Sequence, residues 1–341
     1  MKKRKIITSI LLTATLLASL CACGKKDNNS GKKVYKVGIV QYVDDASLNQ
    51  IESAIEKELD AKGKENNVVF EYKKYKHNGQ ADASNLNQIA TELVNNEVDV
   101  IIPIATPAAM ICQNATEDKD IPIVFSAVSD PVSSKLVKSI EKPSGNITGT
   151  SDALDTKALF KLIKEGSEVK KLGFLYNKSE DSSTKAIKEM KELCKKNNIE
   201  VVEKTGTTTD EIALCADSLI ENKVDAVFTP TDNTVQVAEI SIYEKFQKAK
   251  IPHYAGADSF ALNGAFCGYG VNYKTLGTKT ADMAVDILVH NKKPADMPVQ
   301  FVTSGIATIN TETAQKINID YSKFKDLCNN VVETKTKKEF D

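Results

Sequence analysis

The sequence predicts an α/β protein of two doubly wound parallel-sheet lobes joined by a hinge of several strands. Three observations predict this fold. Short apolar, β-branched segments alternate with amphipathic ones along residues 34–327, as strands and helices do when helices cover both faces of a parallel sheet. The alternation occurs twice in the same order. A segment rich in Gly, Ser, Thr and Asp, residues 148–155, separates the two copies.

The first copy begins near residue 34. Strands are predicted where β-branched and aromatic residues concentrate, and helices where apolar residues recur every three or four positions. Pro107 favours a helix that begins beside it, because a residue in the first turn needs no N–H donor. In chain order the predicted elements are strand 35–40, helix 47–62, strand 68–75, helix 83–95, strand 98–104, a helix from Pro107 and strand 121–125.

The second copy repeats this order, and fragments of the two halves are similar. VDVIIPIATPA at 98–108 matches VDAVFTPTDNT at 224–234, and IPIVFSAVSDP at 121–131 matches IPHYAGADSFA at 251–261. The repeat predicts that equivalent strands of the two lobes end at equivalent positions. Its predicted elements are strand 171–176, helix 183–196, strand 199–204, helix 210–221, strand 226–229, helix 233–249 and strand 251–255.

The last part of the chain is predicted to cross between the lobes. Strand 266–271 and helix 276–290 are expected to return to the first lobe, and residues 298–309 to cross back to the second. The expected bounds are 34–149 plus about 270–296 for the N-terminal lobe, 150–269 plus about 297–330 for the C-terminal lobe, and 331–341 for a frayed tail. Open α/β sheets bind ligands beyond the carboxyl ends of their strands, so two facing lobes predict a cleft that closes on its ligand.

The first residues predict export. Four positive charges precede an apolar run, 6–20, that is too short for a membrane span, so residues 1–22 are interpreted as a secretory signal peptide. The run ends in LCACG, a pattern typical of a bacterial lipobox, which makes Cys23 the expected lipid-modified N-terminus. The polar residues 23–33 are the expected tether. The protein is then expected on the extracytoplasmic face of the cell membrane; a plain cleaved signal peptide is the alternative.

Composition excludes several classes of partner and ligand site. The chain has 45 basic and 46 acidic residues without a clustered basic face, so nucleic acid is not an expected partner. Its only arginine is Arg4, inside the predicted signal peptide, so the mature protein has no guanidinium group with which to bind a carboxylate. No C-x-x-C pair, nucleophile elbow, phosphate-binding loop or zinc-protease motif occurs. No catalytic residue, metal or cofactor is therefore expected.

Several motifs resemble one family of binding proteins. They are GIVQY, IATPAA, PIVFSAVSDPV, NITGTSD, LYNKSEDSS, PTDNTV and GYGVNYKTLG. Together they resemble the tryptophan- and tyrosine-type substrate-binding lipoproteins of ABC transporters, which have the type I periplasmic-binding fold. The resemblance implies a monomer that binds a free amino acid, most simply an aromatic one, and delivers it to a permease and an ATPase. Where relatives often carry Glu-His, this chain has Val43-Asp44-Asp45. The alternative is a surface lipoprotein of this fold that binds another small molecule or acts in adhesion or sensing.

The two charged groups of an amino acid need opposite partners. Thr106 is a predicted N-cap and Pro107 a first-turn residue, so the amides of Ala108 and Ala109 are predicted to face a ligand carboxylate. The family's fold implies that the Ser126 hydroxyl adds to them. For the ammonium, Asp232 and Asp258 end equivalent strands of the second lobe. Helix capping is the alternative role for Thr106 and Asp232.

Further residues at predicted strand ends complete the candidate ligand site. Aromatic residues there supply walls for a side chain, and polar ones orient the ligand. Core packing is the alternative for the aromatic residues, and helix capping is the alternative for the serines. The residues are Gln41, Tyr42, Phe125, Asn177, Ser182, Ser183 and Asn233.

Overall fold

The structure is a computed structural model that describes residues 31–337. The predicted signal peptide, Cys23 and most of the tether lie outside this range. Within it, no helix has both the length and the apolar character that crossing a membrane requires.

Strands and helices alternate along the described chain. The strands are β1 (Lys33–Gln41), β2 (Val68–Glu71), β3 (Lys76–Asn78), β4 (Val100–Ile104), β5 (Ile123–Phe125), β6 (Ile147–Ser151), β7 (Lys171–Tyr176), β8 (Glu200–Thr205), β9 (Ala226–Thr229), β10 (His253–Ala255), β11 (Cys267–Gly270), β12 (Gln300–Phe301), β13 (Ile306–Asn310) and β14 (Asn330–Thr334). The helices are α1 (Ala46–Glu65), α2 (Ala83–Asn95), α3 (Thr106–Ala115), α4 (Thr156–Gly166), α5 (Asp181–Lys196), α6 (Thr209–Glu221), α7 (Asn233–Ala249), α8 (Asp258–Leu262), α9 (Tyr273–Leu288) and α10 (Thr311–Ile317), with 3₁₀ turns at Pro294–Asp296 and Ser322–Asp326.

The strands of the described range form two seven-stranded sheets. The first has the order β12-β6-β5-β4-β1-β2, with β3 also beside β1, and the second has the order β14-β13-β11-β10-β9-β7-β8. Five strands in each sheet follow the same order, β2-β1-β4-β5-β6 and β8-β7-β9-β10-β11. This order reverses direction between β1 and β4 and between β7 and β9, as in other doubly wound sheets. The predicted pair of α/β lobes is confirmed.

Polar residues at the carboxyl ends of strands begin several helices. Each has extended or near-extended backbone and accepts a hydrogen bond from an amide in the first helical turn, as N-cap residues do. Two of these caps, Asp45 and Asp232, follow β1 and β9, so the fold itself places carboxylates at the facing rims of the sheets. The caps are Asp45, Asp82, Asp155, Thr208, Asp232, Asn272 and Asn310.

Three chain segments connect the lobes, and two of them differ from the prediction. The first follows Ser151, close to the predicted position. β11 pairs with β10 and β13 in the second sheet, so the predicted return of this strand to the first lobe was wrong, and the crossing falls at 271–272. β12 pairs with β6 in the first sheet, so the last crossing lies at 302–305 rather than near 297. A two-residue strand carries too little pattern to be predicted.

The predicted frayed tail was also wrong over its first residues. Residues 330–334 form β14, which runs parallel to β13, with Val331 beside Ala307 and Glu333 beside Ile309. The adjacent valines have high strand propensity, and β13 offers them an edge that is otherwise unpaired. In addition, β13 runs antiparallel to β11, so the second sheet is mixed at this edge.

Candidate functional site

A cavity of about 40 Å³ lies between the carboxyl ends of the two sheets. Side chains of both lobes enclose it, and it adjoins an outer groove of about 490 Å³, with which it shares Thr106 and Asn233. The cavity is lined by Asp45, Ser47, Leu48, Ala105, Thr106, Ala127, Ser129, Asp152 and Tyr273 from the first lobe and its hinge, and by Ser182, Thr231, Asp232, Asn233, Gln236, Ala257, Ser259 and Phe260 from the second lobe.

Several buried polar atoms around this cavity have no hydrogen-bond partner among residues 31–337. They are Asp45 Oδ2, Thr106 Oγ1, both side-chain amide atoms of Gln236, and Ser259 Oγ. A buried polar atom without a partner costs about 1–3 kcal/mol, so native proteins rarely leave one unsatisfied. Both donors and acceptors converge on one enclosed space. The arrangement is suited to a small polar ligand that carries groups of both kinds.

The start of α3 forms the first-lobe wall of the cavity. Ala105, not Thr106, is the N-cap, and no side chain caps the helix, so the predicted capping role of Thr106 was wrong. The amide of Ala109 donates to Ala105 O at 3.1 Å, which removes it from the predicted anion site. The amides of Thr106 and Ala108 donate to no backbone carbonyl within the described part of the chain. Of these two N–H groups, at the positive end of the helix dipole, the Thr106 amide belongs to a residue that lines the cavity and can receive an anion there.

The backbone that aims these amides is strained. Ala105 has φ 81° and ψ 153°, a conformation that residues other than glycine rarely adopt. Such a residue costs about 1–3 kcal/mol and persists where the surrounding structure fixes it, often at ligand sites. Here the Ala105 amide donates to Ser126 O at 2.9 Å, which ties the strained residue to the end of β5.

Two acidic side chains meet on the second lobe. Asp232 accepts hydrogen bonds from the amides of Val235 and Asn177 at 3.0 and 2.7 Å and from Ser183 Oγ at 2.6 Å. Glu180 accepts from the amides of Asn233 and Thr234 at 3.0 and 2.8 Å. Burial, and then the nearby negative charge of Glu180, raise the pKa of Asp232 to about 7.

Two further carboxylates of the cavity were not among the predicted ligand residues. Asp45 caps α1 through Oδ1, at 2.8 Å from the Ser47 amide and 3.0 Å from the Leu48 amide. Asp152, directly after β6 on the first crossing, accepts from Ser129 Oγ at 3.1 Å. Burial raises the pKa of each to about 6. The sequence did carry a signal for Asp45: it lies just past the first strand, two residues before Ser47, where a carboxylate is expected at the rim of the cleft.

The structure brings together some of the sequence-predicted residues. Thr106, Ser182, Asp232 and Asn233 line the cavity. Tyr42, Pro107 and Asn177 line the outer groove instead. Burial, and then the charges of Glu180 and Asp232, raise the pKa of Tyr42 to about 12. Glu180 was not predicted, yet it lies in the groove wall and fixes the start of α7.

Other predicted residues lie behind these walls. Gln41 donates to Val43 O and Asn49 Oδ1, both at 2.7 Å. Phe125 packs in the apolar core of the first lobe, and Ser126 shares a hydrogen bond with the Thr280 hydroxyl at 2.8 Å. The remaining ones, Ala108 and Ser183, are fully buried beside the cavity wall and do not line it.

Asp258 joins the lobes rather than lining the cavity. Its two oxygens accept from Ser47 Oγ at 2.6 Å and Gln50 Nε2 at 3.0 Å, both on α1 of the first lobe. On the hinge side, the hydroxyls of Ser129 and Thr231 lie 3.1 Å apart. These direct contacts hold the lobes in a closed arrangement.

Residues 36–325 match the family model of ABC transporter substrate-binding proteins. The chain belongs to this family. Over 341 residues it is 34% identical to the tyrosine-binding protein of Clostridioides difficile, with 95% of this chain and 96% of that protein aligned. The protein is thus a substrate-binding component that works with an ABC permease and ATPase, as its motifs predicted, and its family is a non-enzymatic class.

Solved structures of family members agree with this assignment. A Streptococcus pneumoniae protein in complex with L-Trp superposes with a TM-score of 0.80 at 32% identity, covering 88% of this chain and all of that one. The ligand-free, open form of a Clostridium difficile substrate-binding protein with adhesive properties gives 0.67 at 33% identity, covering 89% of this chain and all of that one. A Bacillus halodurans protein with myo-inositol, at 16% identity and a TM-score of 0.56, shares the fold alone.

Proposed function

We propose that this substrate-binding protein takes a free aromatic amino acid (tyrosine, tryptophan or phenylalanine) into the interlobe cavity and presents it to its ABC permease. The observation that carries the proposal is the set of unpartnered donors and acceptors that face one enclosed space. A zwitterion supplies an acceptor group and a donor group on adjacent atoms, so it can satisfy both kinds at once.

The ligand carboxylate is assigned to the start of α3. The Thr106 amide and the free Thr106 hydroxyl offer two donors there. The chain has no arginine after residue 4, and no lysine lines the cavity within the described range. Backbone amides and hydroxyl groups are therefore the donors available to the ligand carboxylate.

The aromatic character of the ligand is supported by the remaining walls. Phe260 and Tyr273 line the same cavity and are nearly inaccessible to solvent, at 1% and 3% exposure. Aromatic contacts add about 0.5–1.5 kcal/mol beyond the area that they bury. The relatives bound to L-Trp and named for tyrosine point to the same ligand class. Side chains of both lobes surround the cavity, so entry of a ligand requires the lobes to open by hinge motion.

Calorimetry and thermal denaturation with the twenty amino acids test this function. A micromolar ligand corresponds to about −8 kcal/mol, and at a hundredfold excess over Kd it stabilises the protein by about 2.7 kcal/mol. The melting temperature should then rise by several degrees with an aromatic amino acid and stay unchanged with glycine. No heat and no shift with any of the three aromatic amino acids would refute the ligand assignment.

The protein is further proposed to be a monomer held on the extracytoplasmic face of the cell membrane by lipid on Cys23. The support is the LCACG motif after a short apolar run. A Cys23→Ser variant should leave the membrane fraction and appear in the soluble extracytoplasmic fraction, with Cys112→Ser as the matched control. Membrane retention of the Cys23→Ser protein would contradict the anchor.

A role in adhesion is a second candidate, favoured by one observation. The Clostridium difficile relative that shares the fold at 33% identity is described as having adhesive properties. An adhesive role predicts that cells lacking the protein attach less well to host surfaces. It also predicts that a variant unable to bind the amino acid restores attachment, which separates this role from transport.

A further inference from the structure

We propose that Asp45 receives the α-ammonium group of the bound amino acid, and that Asp232 supports the second-lobe wall without contacting this group. The inference deepens the proposed function and rests on it. It also reverses the expectation from the sequence, which assigned the ammonium to Asp232 and Asp258.

Both carboxylate oxygens of Asp232 already accept hydrogen bonds from other residues of the protein. Three donors reach its two oxygens: the Val235 amide on Oδ1, and the Asn177 amide and Ser183 hydroxyl on Oδ2. These bonds tie the ends of β7 and β9 to the starts of α5 and α7. The carboxylate therefore has a sufficient structural role as a helix cap and a connector between elements.

Both carboxylate oxygens of Asp258 are also occupied by protein donors. Ser47 and Gln50 of the opposite lobe take both of its oxygens, and the residue does not line the cavity. Its charge instead strengthens the contact between the closed lobes.

Asp45 is different, because one of its oxygens is unused. Oδ1 accepts the two amides at the start of α1, while Oδ2 accepts no well-formed hydrogen bond from the described residues. The Ser259 hydroxyl lies near enough to lower the pKa of Asp45, yet it too has no hydrogen-bond partner in the described range, so both groups are open to a ligand. The side chain is 6% exposed and lines the cavity. An ionised carboxylate held in this way gains most from a partner that is itself charged.

No positive charge of the described chain neutralises this region. The cavity lining contains Asp45, Asp152 and Asp232 but no lysine, arginine or histidine from residues 31–337. The titratable groups that surround Asp45 are Asp258 and Tyr273, and neither carries a positive charge. A ligand ammonium at Oδ2 supplies the missing cation.

The ammonium site has a chemical test that does not depend on stability. Binding of L-tyrosine, L-tryptophan and L-phenylalanine is compared with binding of their deaminated 3-arylpropionate counterparts. In the wild-type protein, loss of the ammonium should weaken binding by about 10- to 100-fold, the range for hydrogen bonds to charged groups. In Asp45→Asn this ratio should shrink by about tenfold or more. Asn is as good an N-cap as Asp, so α1 should remain capped.

Two variants serve as matched controls. Asp232→Asn should keep the wild-type ratio, even where its overall affinity falls. Asp155→Asn alters another helix cap, at the start of α4 and outside the cavity, and should bind as the wild type does. Should Asp45→Asn melt early, Asp45→Ser also keeps a capping oxygen and removes the charge.

The outcomes separate the two levels of the proposal. A wild-type ratio retained by the Asp45 variants, or lost in Asp232→Asn, overturns the assignment of the ammonium to Asp45. Absence of binding of all three amino acids to the wild-type protein overturns the proposed function, and this assignment with it.

Discussion

Replacement of Asp258 by alanine should open the closed lobes without unfolding either of them. The side chain lies on α8 of the second lobe, and both of its oxygens are bonded to α1 of the first. Truncation removes these two bonds, while α8 keeps Ala257 as its N-cap, which makes no side-chain capping bond. Ser47 and Gln50 lie beside solvent once the lobes part, so water replaces their lost partner.

The size of the effect follows from those two bonds. A hydrogen bond within a protein contributes about 0.5–1.5 kcal/mol net, because water replaces the lost partner in the open state. Two bonds therefore favour closure by about 1–3 kcal/mol, which corresponds to about a 5- to 150-fold change in the ratio of closed to open protein. Affinity of a ligand that binds the closed form falls with that population. The ligand dissociation rate should rise correspondingly.

Small-angle scattering of the ligand-free protein and stopped-flow dissociation of the ligand measure the two effects. The matched control is Asp225→Ala, which removes a carboxylate that accepts the amides of Lys170 and Lys171 at 2.8 and 2.7 Å within the second lobe. The control should lower the melting temperature and leave the dissociation rate unchanged. If Asp258→Ala and the control release ligand at the same rate, the reasoning about the interlobe contact is refuted.

Two further predictions concern the cavity walls. Ala105→Gly should raise the melting temperature slightly. Relief of about 1–3 kcal/mol of backbone strain exceeds the cost of the added chain entropy of glycine, about 0.5–1 kcal/mol. A lower melting temperature by calorimetry would contradict the presence of strain at this residue. For pH, the raised pKa values of Asp45, Asp152 and Asp232, about 6, 6 and 7, mean that the folded protein binds protons more tightly than the unfolded chain does. The contribution of these acids to stability is therefore fully present below the unfolded pKa of 3.8, declines above it and is lost as pH rises through 6 to 7. Ligand affinity should instead fall on acidification, since protonated acids no longer attract an ammonium. Asp258, Tyr273 and Glu180 face the same acids, and none is cationic. Melting curves from pH 8 to 5 should show a rising ligand-free melting temperature and a shrinking ligand-induced shift; a shift that grows on acidification would contradict the prediction.

The repeat made most of the fold predictable from the sequence. Long helices with clear periodicity, such as 83–95 and 233–249, agree with the structure to the residue. The short edge strands β12 and β14 were not predicted. β12 has only two residues, and β14 forms only because β13 offers it an unpaired edge. The strand predicted at 68–75 ends at Glu71, because the chain turns over 72–75, and β3 begins beyond the predicted segment at Lys76.

The candidate site was less predictable, for reasons of side-chain direction. Phe125 and Ser126 end a strand at the cleft, yet the first packs into the core and the second bonds to Thr280; the next residue, Ala127, lines the cavity. Asp258 occupies a position equivalent to this strand end, and its true partners belong to the other lobe. Contacts between lobes depend on how far the hinge has closed, which no periodicity encodes. The N-cap of α3 was predicted at Thr106 but is Ala105. The positive φ of Ala105 depends on its hydrogen bond to Ser126 in another segment, so sequence spacing does not reveal it.

The three crossings between the lobes affect how the protein can fold. The first lobe needs α9, which packs along α1 although the two helices are separated by more than two hundred residues of sequence. Until that distant segment has been synthesised, the part of α1 that packs on α9 is uncovered, although its apolar side, including Ile51 and Ile55, belongs to the core of the first lobe. A single cut in the chain consequently cannot yield two independently folding halves, and a fragment that stops before residue 271 should aggregate rather than form a soluble lobe.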